Sequence, residues 1–265
     1  MSKPSRKHIR RIAKHFDAQA LRYDRSRTVR QFQSQAITRT LSSIDLRPGM
    51  RVLDLGCGTG IGTREIARRI APSGTVIGMD ASPRMIAEAQ SKCENSALGH
   101  ASFVVGCAEE LNEQSTFDVV VCTNVFHHLL DKAYVFRRVL HALCPEGTFL
   151  IEDICNDSWK MRALDRLGRL GERAHVGSTR SHELVRLMED VGFAEVKVDR
   201  VRLTWFWEIM IGRGQKPKLA EPSNDKERDS DGRGDRRTGG WNGSRTSDRD
   251  DGRDSRRFRR RGVRP

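Results

Sequence analysis

Several features that would define other classes of protein are missing from this sequence. Its six cysteines include no Cys-x-x-Cys pair, so neither a zinc site nor a disulfide framework is indicated. No apolar run approaches the roughly 20 residues that a membrane-spanning helix needs. No Gly-Lys-Ser/Thr occurs, which excludes a phosphate-binding P-loop. We therefore expect small buried cysteines in a reducing compartment and a cytoplasmic protein.

The charge balance is strongly basic, with a formal net charge of +13 over 265 residues. Residues 1–14 are basic without an apolar core, which argues against a secretory signal and leaves a mitochondrial presequence open. Residues 215–265 hold 16 Lys/Arg and 10 Asp/Glu but few large apolar side chains. Burial there cannot offset the entropy of folding. We predict a disordered charged tail over 213–265.

The most informative stretch is Val52–Gly60, which reads Val-Leu-Asp-Leu-Gly-Cys-Gly-Thr-Gly. An apolar strand containing Asp54 leads into three glycines at alternate positions, with Cys57 between the first two: Gly56, Gly58 and Gly60. Glycine permits a sharp turn and close approach of a ligand to the backbone. A predicted helix over 61–70 follows. Strand, glycine turn and helix form a cradle for a nucleotide, with the helix N-terminus facing the ligand.

The glycine spacing narrows the choice of nucleotide. The dinucleotide fingerprint Gly-x-Gly-x-x-Gly/Ala fails in both registers, since Ile61 or Thr63 occupies its last position. With no P-loop, an adenosine without phosphate remains. Val52–Gly60 resembles the first motif of the class I S-adenosylmethionine (SAM) methyltransferases. The resemblance covers about residues 15–212 and implies SAM as cofactor and a seven-stranded sheet whose last strand is antiparallel.

A second motif is predicted at Thr75–Met85, where a β-branched strand ends at Asp80. Ser82 is placed to cap a helix that begins at Pro83. A carboxylate at this strand end, about 20 residues after the glycines, can accept hydrogen bonds from ribose hydroxyls. The resemblance gives Asp80 that role and places Ala81 beside the adenine. A simple helix cap is the alternative for Asp80.

A third strand, over 102–105, leads into a loop that departs from the family pattern. Cys107 stands where the family commonly has an acidic residue bonded to the adenine amino group. We expect Ala108 or Glu109 to take over that contact. An ordinary loop and helix start is an equal alternative for Glu109.

The fourth strand, near 118–123, is almost entirely apolar, as expected for a strand covered on both faces. Polar residues follow at its carboxyl end, where an open parallel sheet binds its ligand: Thr123, Asn124, His127 and His128. A similar His-His follows this strand in the small-molecule branch of the resembling family. We expect one of the two to contact the acceptor or take its proton. Packing is an equal alternative for each.

Residues 15–24 resemble the lead-in of the ubiquinone/menaquinone-type methyltransferases, which implies that Tyr23 helps to close over the cofactor. An amphipathic packing helix is the alternative. A later helix, near 158–173, presents a row of arginines. This row either attracts an acidic or membrane-associated substrate or forms a solvated face.

The alternation of strands and helices predicts an α/β fold with a doubly wound, mostly parallel sheet. Strands are predicted near 51–55, 75–80, 102–105, 118–123 and 148–153, helices near 61–70, 83–94, 132–142, 158–173 and 180–191, and a closing hairpin over 193–198 and 201–211. The predicted domains are a helical segment over 1–45, a SAM-binding domain over 46–212 and the tail.

The sequence as a whole predicts a SAM-dependent methyltransferase acting on a small molecule, quinone-like or phenolic. One alternative is an RNA or protein methyltransferase whose tail holds the polymer; another is a non-catalytic SAM-fold binding module. Six arginines crowd around Phe258, so the tail is either a weak nucleic-acid or anionic-surface contact or a solvating segment.

Overall fold

The computed structural model describes residues 6–23, 27–94, 96, 98–171, 176–205 and 207–218. The side chains of 22, 23, 27–30, 32, 164 and 167–171 lie outside that description. The helices are α1 Arg6–Tyr23, α2 Arg27–Leu41, α3 Ile61–Ile70, α4 Pro83–Glu94, α5 Lys132–Ala142, α6 Trp159–Gly171 and α7 Ser181–Val191. The strands are β1 Arg51–Leu55, β2 Thr75–Asp80, β3 Ala101–Val105, β4 Phe117–Thr123, β5 Leu143–Ile154, β6 Ala194–Arg202 and β7 Glu208–Gln215.

The strands form one mixed sheet in the order β3-β2-β1-β4-β5-β7-β6. The first five are parallel, and β7 inserts antiparallel between β5 and β6. The chain order reverses between β1 and β4, and ligands bind at such a switch point in open α/β sheets. The seven-stranded, mostly parallel sheet with an antiparallel last strand is confirmed, whereas its doubly wound character stays a prediction.

Helices cover both faces of the central strands, which explains why those strands are apolar at consecutive positions. Leu53 and Val120 pack with α5 and α7, whereas their neighbours Val52 and Val121 pack with α2 and α3. Successive side chains of a strand point to opposite faces, so a strand covered on both needs apolar residues throughout. This double burial makes the carboxyl ends of β1 and β4 a firm base for a binding site.

Local capping fixes the helices close to the predicted boundaries. The Ser82 hydroxyl accepts a hydrogen bond from the Met85 amide at 3.1 Å, and α4 begins at Pro83, as predicted. Asp131 caps α5 by accepting from the Tyr134 amide at 2.8 Å. Gly192 ends α7 in a left-handed conformation, with φ of 108°, which glycine adopts without a Cβ penalty.

Three details of the structure add to the prediction or differ from it. The helical segment predicted over 1–45 contains two helices, α1 and α2, and residues 24–26 between them lie outside the described chain. The strand predicted over 148–153 begins earlier, at Leu143, and β5 contains a register irregularity where Glu146 adopts φ of 62°. The hairpin turn falls at 203–207 rather than at 199–200, because Thr204 accepts from the Trp207 amide at 3.0 Å.

Three further expectations concern the cysteines, membrane-spanning helices and the charged tail. All six cysteines are free, and five of them are buried, as predicted. Within the described ranges, no helix is long and apolar enough to cross a membrane. The predicted disorder of the tail concerns residues that lie almost wholly outside the described chain.

Substitution of Phe136 on α5 tests how much core packing contributes to stability. Its fully buried ring contacts those of Phe126 and Phe149 at centroid distances of 5.3 and 5.0 Å. We expect Phe136→Ala to lower the free energy of unfolding by about 3–5 kcal/mol, since it leaves a cavity. Urea denaturation measures the loss. The control is Arg137→Ala, an exposed neighbour on the same helix, and equal effects of the two substitutions would contradict this account.

Candidate functional site

The glycine turn after β1 is held by the end of β2. The amides of Gly56 and Cys57 both donate to the carbonyl oxygen of Met79, at 2.7 and 3.0 Å. Gly56 has φ of 76°, and a Cβ there would collide with the side chain of Val125. Gly58 has φ of 53°, and a Cβ built on it meets nothing within 4 Å. The turn therefore presents bare backbone and open space at Gly58.

Asp54, near the end of β1, links the strand to α3 across this turn. Its carboxylate is buried and accepts a hydrogen bond of 2.6 Å from the hydroxyl of Thr63. Burial raises the pKa of Asp54 to about 6, the charge of Asp80 adds to the rise, and the Thr63 hydrogen bond opposes it. Asp54 is thus a carboxylate at neutral pH that sits close to its protonation range.

Asp80 at the tip of β2 is bound to the glycine turn. One carboxylate oxygen accepts from the Gly58 amide at 2.9 Å, and the other accepts from the Ser82 amide at 2.8 Å. Burial raises the pKa of Asp80, the two amides lower it, and the charge of Asp17 raises it, with a net rise. Because each carboxylate oxygen can accept more than one hydrogen bond, both retain capacity for a ligand.

A cleft opens above this junction, with about 760 Å³ of empty space including its mouth. Most of the predicted site residues line it: Gly56, Gly58, Asp80, Ala81, Ala108, Glu109, Thr123, Asn124 and His128. A smaller neighbouring cavity shares Gly56, Gly58, Thr123 and Asn124 with the cleft. Asp54, Cys57 and Gln33 line only this smaller cavity. Both spaces therefore border the glycine turn.

Helix α1 forms one wall of the cleft through Ile9, Ile12 and Phe16. Phe16 lies within the stretch 15–24 singled out from the sequence, whereas Ile9 and Ile12 precede that stretch, belong to no motif and were missed. The spacing of three and four along an amphipathic helix was the available signal.

Two polar contacts hold α1 against the sheet. Asp17 accepts hydrogen bonds from the Ser82 hydroxyl at 2.6 Å and from the Arg84 amide at 3.1 Å, so it caps α4. His8 donates from Nε2 to the carbonyl oxygen of His128 at 2.8 Å. The α1 helix is therefore tied to both sides of the cleft that it covers.

The structure does not bring every predicted residue to the cleft. Gly60 immediately precedes α3 as its N-cap, and a Cβ there would come within 3.0 Å of Ala89 and Phe103. Its glycine thus serves close packing between α3, α4 and β3. Tyr23 ends α1, but its side chain lies outside the described part of the chain.

The two adjacent histidines have different surroundings. His127 is buried against Asp153: its Nδ1 lies 2.7 Å from one carboxylate oxygen, and its amide donates to the other at 3.1 Å. Burial acts to raise the pKa of Asp153, but its ion pair and hydrogen bonds with His127 lower it overall. His128 lines the cleft, and its ring meets that of Phe16 edge-on at 5.2 Å. Only the second histidine faces the ligand space.

Glu152, next to Asp153 on β5, is an unexpected buried acid. It is 1% exposed, and neither of its carboxylate oxygens has a hydrogen-bond partner in the structure described. Burial, together with the neighbouring charge of Asp153, raises the pKa of Glu152 to about 8. In the sequence it was an ordinary residue of a predicted strand, with no signal of its burial.

Comparison with known proteins gives the class. A family model described as "Methyltransferase domain" matches residues 46–192, and the chain belongs to this family. It is 31% identical to a ubiquinone biosynthesis O-methyltransferase of Bradyrhizobium diazoefficiens over 56% of this chain and 54% of that protein. It is 27% identical to the ubiquinone/menaquinone biosynthesis C-methyltransferase UbiE of Vibrio parahaemolyticus, over 71% and 82%. The chain spans about half or less of the length of the first curated relatives it matches.

Solved structures share the fold. A putative methyltransferase of Haloferax volcanii, in complex with the activator Trm112, superposes with a TM-score of 0.64 at 20% identity, over 76% of this chain and 97% of that one. YcgJ of Bacillus subtilis superposes at 0.59 with 18% identity, over 70% and 99%. The resemblance inferred from the motifs is therefore confirmed: the chain contains a methyltransferase domain, and its fold is that of a solved putative methyltransferase.

Glu152 generates a prediction on stability. Folding keeps its proton at pH values where the unfolded chain has lost it, so the free energy of unfolding should fall as pH rises from 4.5 to about 8. Glu152→Gln should remove this contribution, on the order of a few kcal/mol. The measurement is urea denaturation across that range, read as the difference between wild type and variant.

The control for this experiment is Glu189→Gln on the exposed face of α7. A wild-type-minus-variant difference for Glu152→Gln that does not change with pH would show that folding leaves the pKa of this carboxyl unchanged, which contradicts the raised pKa.

Proposed function

We propose that this protein transfers the methyl group of SAM to a small, largely apolar acceptor of quinone-like or phenolic type. The main support for this class of acceptor comes from the side chains that line the cleft beyond the glycine turn. Ile9, Ile12, Phe16 and Leu129 wall that part, and His128 is the ionisable side chain among them. Such a wall suits a flat apolar ring better than a charged acceptor.

The cofactor half of the cleft fits an adenosine. We assign Asp80 to the two ribose hydroxyls, since both of its oxygens are anchored by amides and can accept again. The open space at Gly58 lets the ligand lie directly on the backbone. Ala81 and Ala108 flank the adenine position, and Glu109 at 7% exposure stands beside it.

The smaller cavity fits the amino-acid arm of the cofactor. Asp54 is a buried carboxylate facing this space, so we assign it to the attraction of the ammonium group. Thr123 and Asn124 line both spaces and would border the point where the two parts of the cofactor meet. Since the pKa of Asp54 is about 6, we expect cofactor affinity to weaken as pH falls below that value.

The chemistry asked of the protein is limited. SAM carries its methyl group on a sulfonium and supplies the activated electrophile. The chain's own residues align the acceptor, exclude water under α1 and remove one proton. His128 is our candidate for the proton acceptor, because its ring faces the cleft. His127 is held by Asp153 and acts as a positioning residue for the turn that carries both histidines.

The relatives' names support a small acceptor. They include ubiquinone biosynthesis O-methyltransferase and demethylmenaquinone methyltransferase, and also phosphoethanolamine N-methyltransferases of Arabidopsis thaliana. The apolar wall favours the quinone type among these. The two alternatives, a polymer methyltransferase and a non-catalytic SAM-fold module, have no observation in the described residues in their favour.

Cofactor binding has a sharp test at Asp80. We expect Asp80→Ala to weaken binding of SAM and of S-adenosylhomocysteine by about tenfold to a hundredfold, the loss of one charged hydrogen-bonding group. Isothermal calorimetry gives the affinities. Asp45→Ala, which removes an exposed acid far from the cleft, is the matched control and should leave them unchanged. Wild-type affinity in Asp80→Ala would remove the ribose assignment.

The glycine cradle is tested separately. Gly58→Val should abolish cofactor binding, because its side chain would occupy the ligand space and its φ of 53° disfavours a β-branched residue. Gly99→Val adds the same side chain at another glycine with open space around it. Calorimetry should show normal affinity for this control. Retained binding in Gly58→Val would contradict the cradle.

The reaction is tested with a panel of hydroquinones, catechols and simple amines, using mass spectrometry to detect methyl transfer from SAM. We expect methylation of the aromatic hydroxyl or ring compounds. His128→Gln should lower kcat by about 10²- to 10⁴-fold with cofactor affinity intact, the usual effect of losing a general base. Methylation confined to amines, or unchanged turnover in His128→Gln, would contradict the proposed acceptor class or the role of this histidine, respectively.

A further inference from the structure

Two tryptophans are unusually exposed on this protein. Trp159 at the first position of α6 is 68% exposed, and Trp205 in the β6–β7 turn is 77% exposed. They are the two most exposed large hydrophobic side chains among the described residues. The Nζ of Lys160 lies 5.0 Å from the centre of the Trp205 ring, so the two segments are neighbours. Exposed indoles grouped in this way indicate an interaction surface.

The exposed face of α6 carries positive charge next to these indoles. Trp159, Arg162, Ala163 and Arg166 follow the helical spacing of three and four and line one surface groove. Met161 lies buried on the opposite side, whereas Asp165, which is also buried, lines the groove and accepts from the Ser178 amide at 2.7 Å. The inner side thus fixes the helix while its outer side stays open to solvent.

The acids close to this face are already engaged. Asp157 accepts from the hydroxyl of Ser181 at 2.6 Å and pairs with Arg200 at 3.4 Å. Arg162 donates to the backbone carbonyl of Asp157 at 2.7 Å, a bond that does not neutralise its charge. Neither Lys160 nor Arg166 belongs to an ion pair among the described residues. The outer surface is therefore basic.

We propose that the docking patch, defined as Trp159, Lys160, Arg162, Arg166 and Trp205, binds the surface of an anionic phospholipid bilayer. Indole rings prefer the depth of the lipid headgroups, where their apolar body and N–H are both satisfied. Basic side chains beside them are attracted by the negative surface potential of such a bilayer. A protein partner would be expected to fill an apolar groove, whereas this groove is lined by charges.

Membrane docking by this patch does not depend on which acceptor is methylated. It does affect how an acceptor dissolved in lipid would reach the cleft. The α6 helix starts just after β5 ends, at the same edge of the sheet as the cleft. A protein held by this patch would keep that edge near the membrane. A quinone-like acceptor dissolved in lipid would then be close to the enzyme, and this step rests on the proposed function.

The experiment uses the full chain and vesicles of phosphatidylcholine with and without phosphatidylglycerol. We expect co-sedimentation with the anionic vesicles, quenching of tryptophan emission by brominated lipid, and weak binding to neutral vesicles. Trp159→Ala/Trp205→Ala should lower the partition coefficient by about tenfold or more, since both interfacial anchors are lost. Trp241→Ala, the same substitution in the tail, should leave it unchanged. SAM affinity serves as the check that each variant is folded.

The charge contribution is tested on the same vesicles. Arg162→Gln/Arg166→Gln should weaken anionic binding by about fivefold per charge, and higher salt should reduce the difference. Arg256→Gln/Arg257→Gln removes two charges from the basic tail as the matched control. The proposal is wrong if the wild-type protein does not bind anionic vesicles. It is also wrong if the double tryptophan variant binds them like wild type with SAM affinity intact, or if only the tail variant weakens binding.

Discussion

The carbonyl oxygen of Met79 accepts hydrogen bonds from two consecutive amides, those of Gly56 and Cys57, and this contact joins the ends of β1 and β2. It forces the chain to turn at once after β1, which only glycine permits at φ of 76° beside the Val125 side chain. The next residue of β2, Asp80, then reaches the Gly58 amide. The fold thereby places the backbone amides, the Asp80 carboxylate and the open space at Gly58 next to one another.

The segment that follows β2, at the start of α4, also anchors helix α1, which forms one wall of the cleft. Asp80 and Asp17 approach the start of α4 from different sides, and Asp17 binds the Ser82 hydroxyl and the Arg84 amide across 65 and 67 residues of sequence. The far end of α1 is tied to the His128 carbonyl through His8. A helix fixed at two points can cover a cleft without being part of the sheet, and this cover would exclude water from the methyl transfer proposed above.

The parts predictable from the sequence are those that depend on local chemistry. The turn, Asp80, Ser82 and Pro83 lie within about thirty residues of one another, and glycine spacing and capping preferences specify them directly. The contact of Asp17 with α4, the pair of His127 with Asp153 and the burial of Glu152 arise from packing between distant segments. No local preference encodes them. The role of Gly60 was predicted for the ligand, yet its neighbours Ala89 and Phe103 give it a packing reason that only the fold reveals.

In the proposed binding mode, one cofactor lies across the glycine turn and occupies both cavities. The most direct test is a crystal structure of the protein with S-adenosylhomocysteine. We expect both ribose hydroxyls within hydrogen-bond distance of the Asp80 carboxylate, the adenine between Ala81 and Ala108, and the amino-acid arm over Gly58 toward Asp54. A ligand bound elsewhere, or one with its ribose away from Asp80, would contradict the central claim.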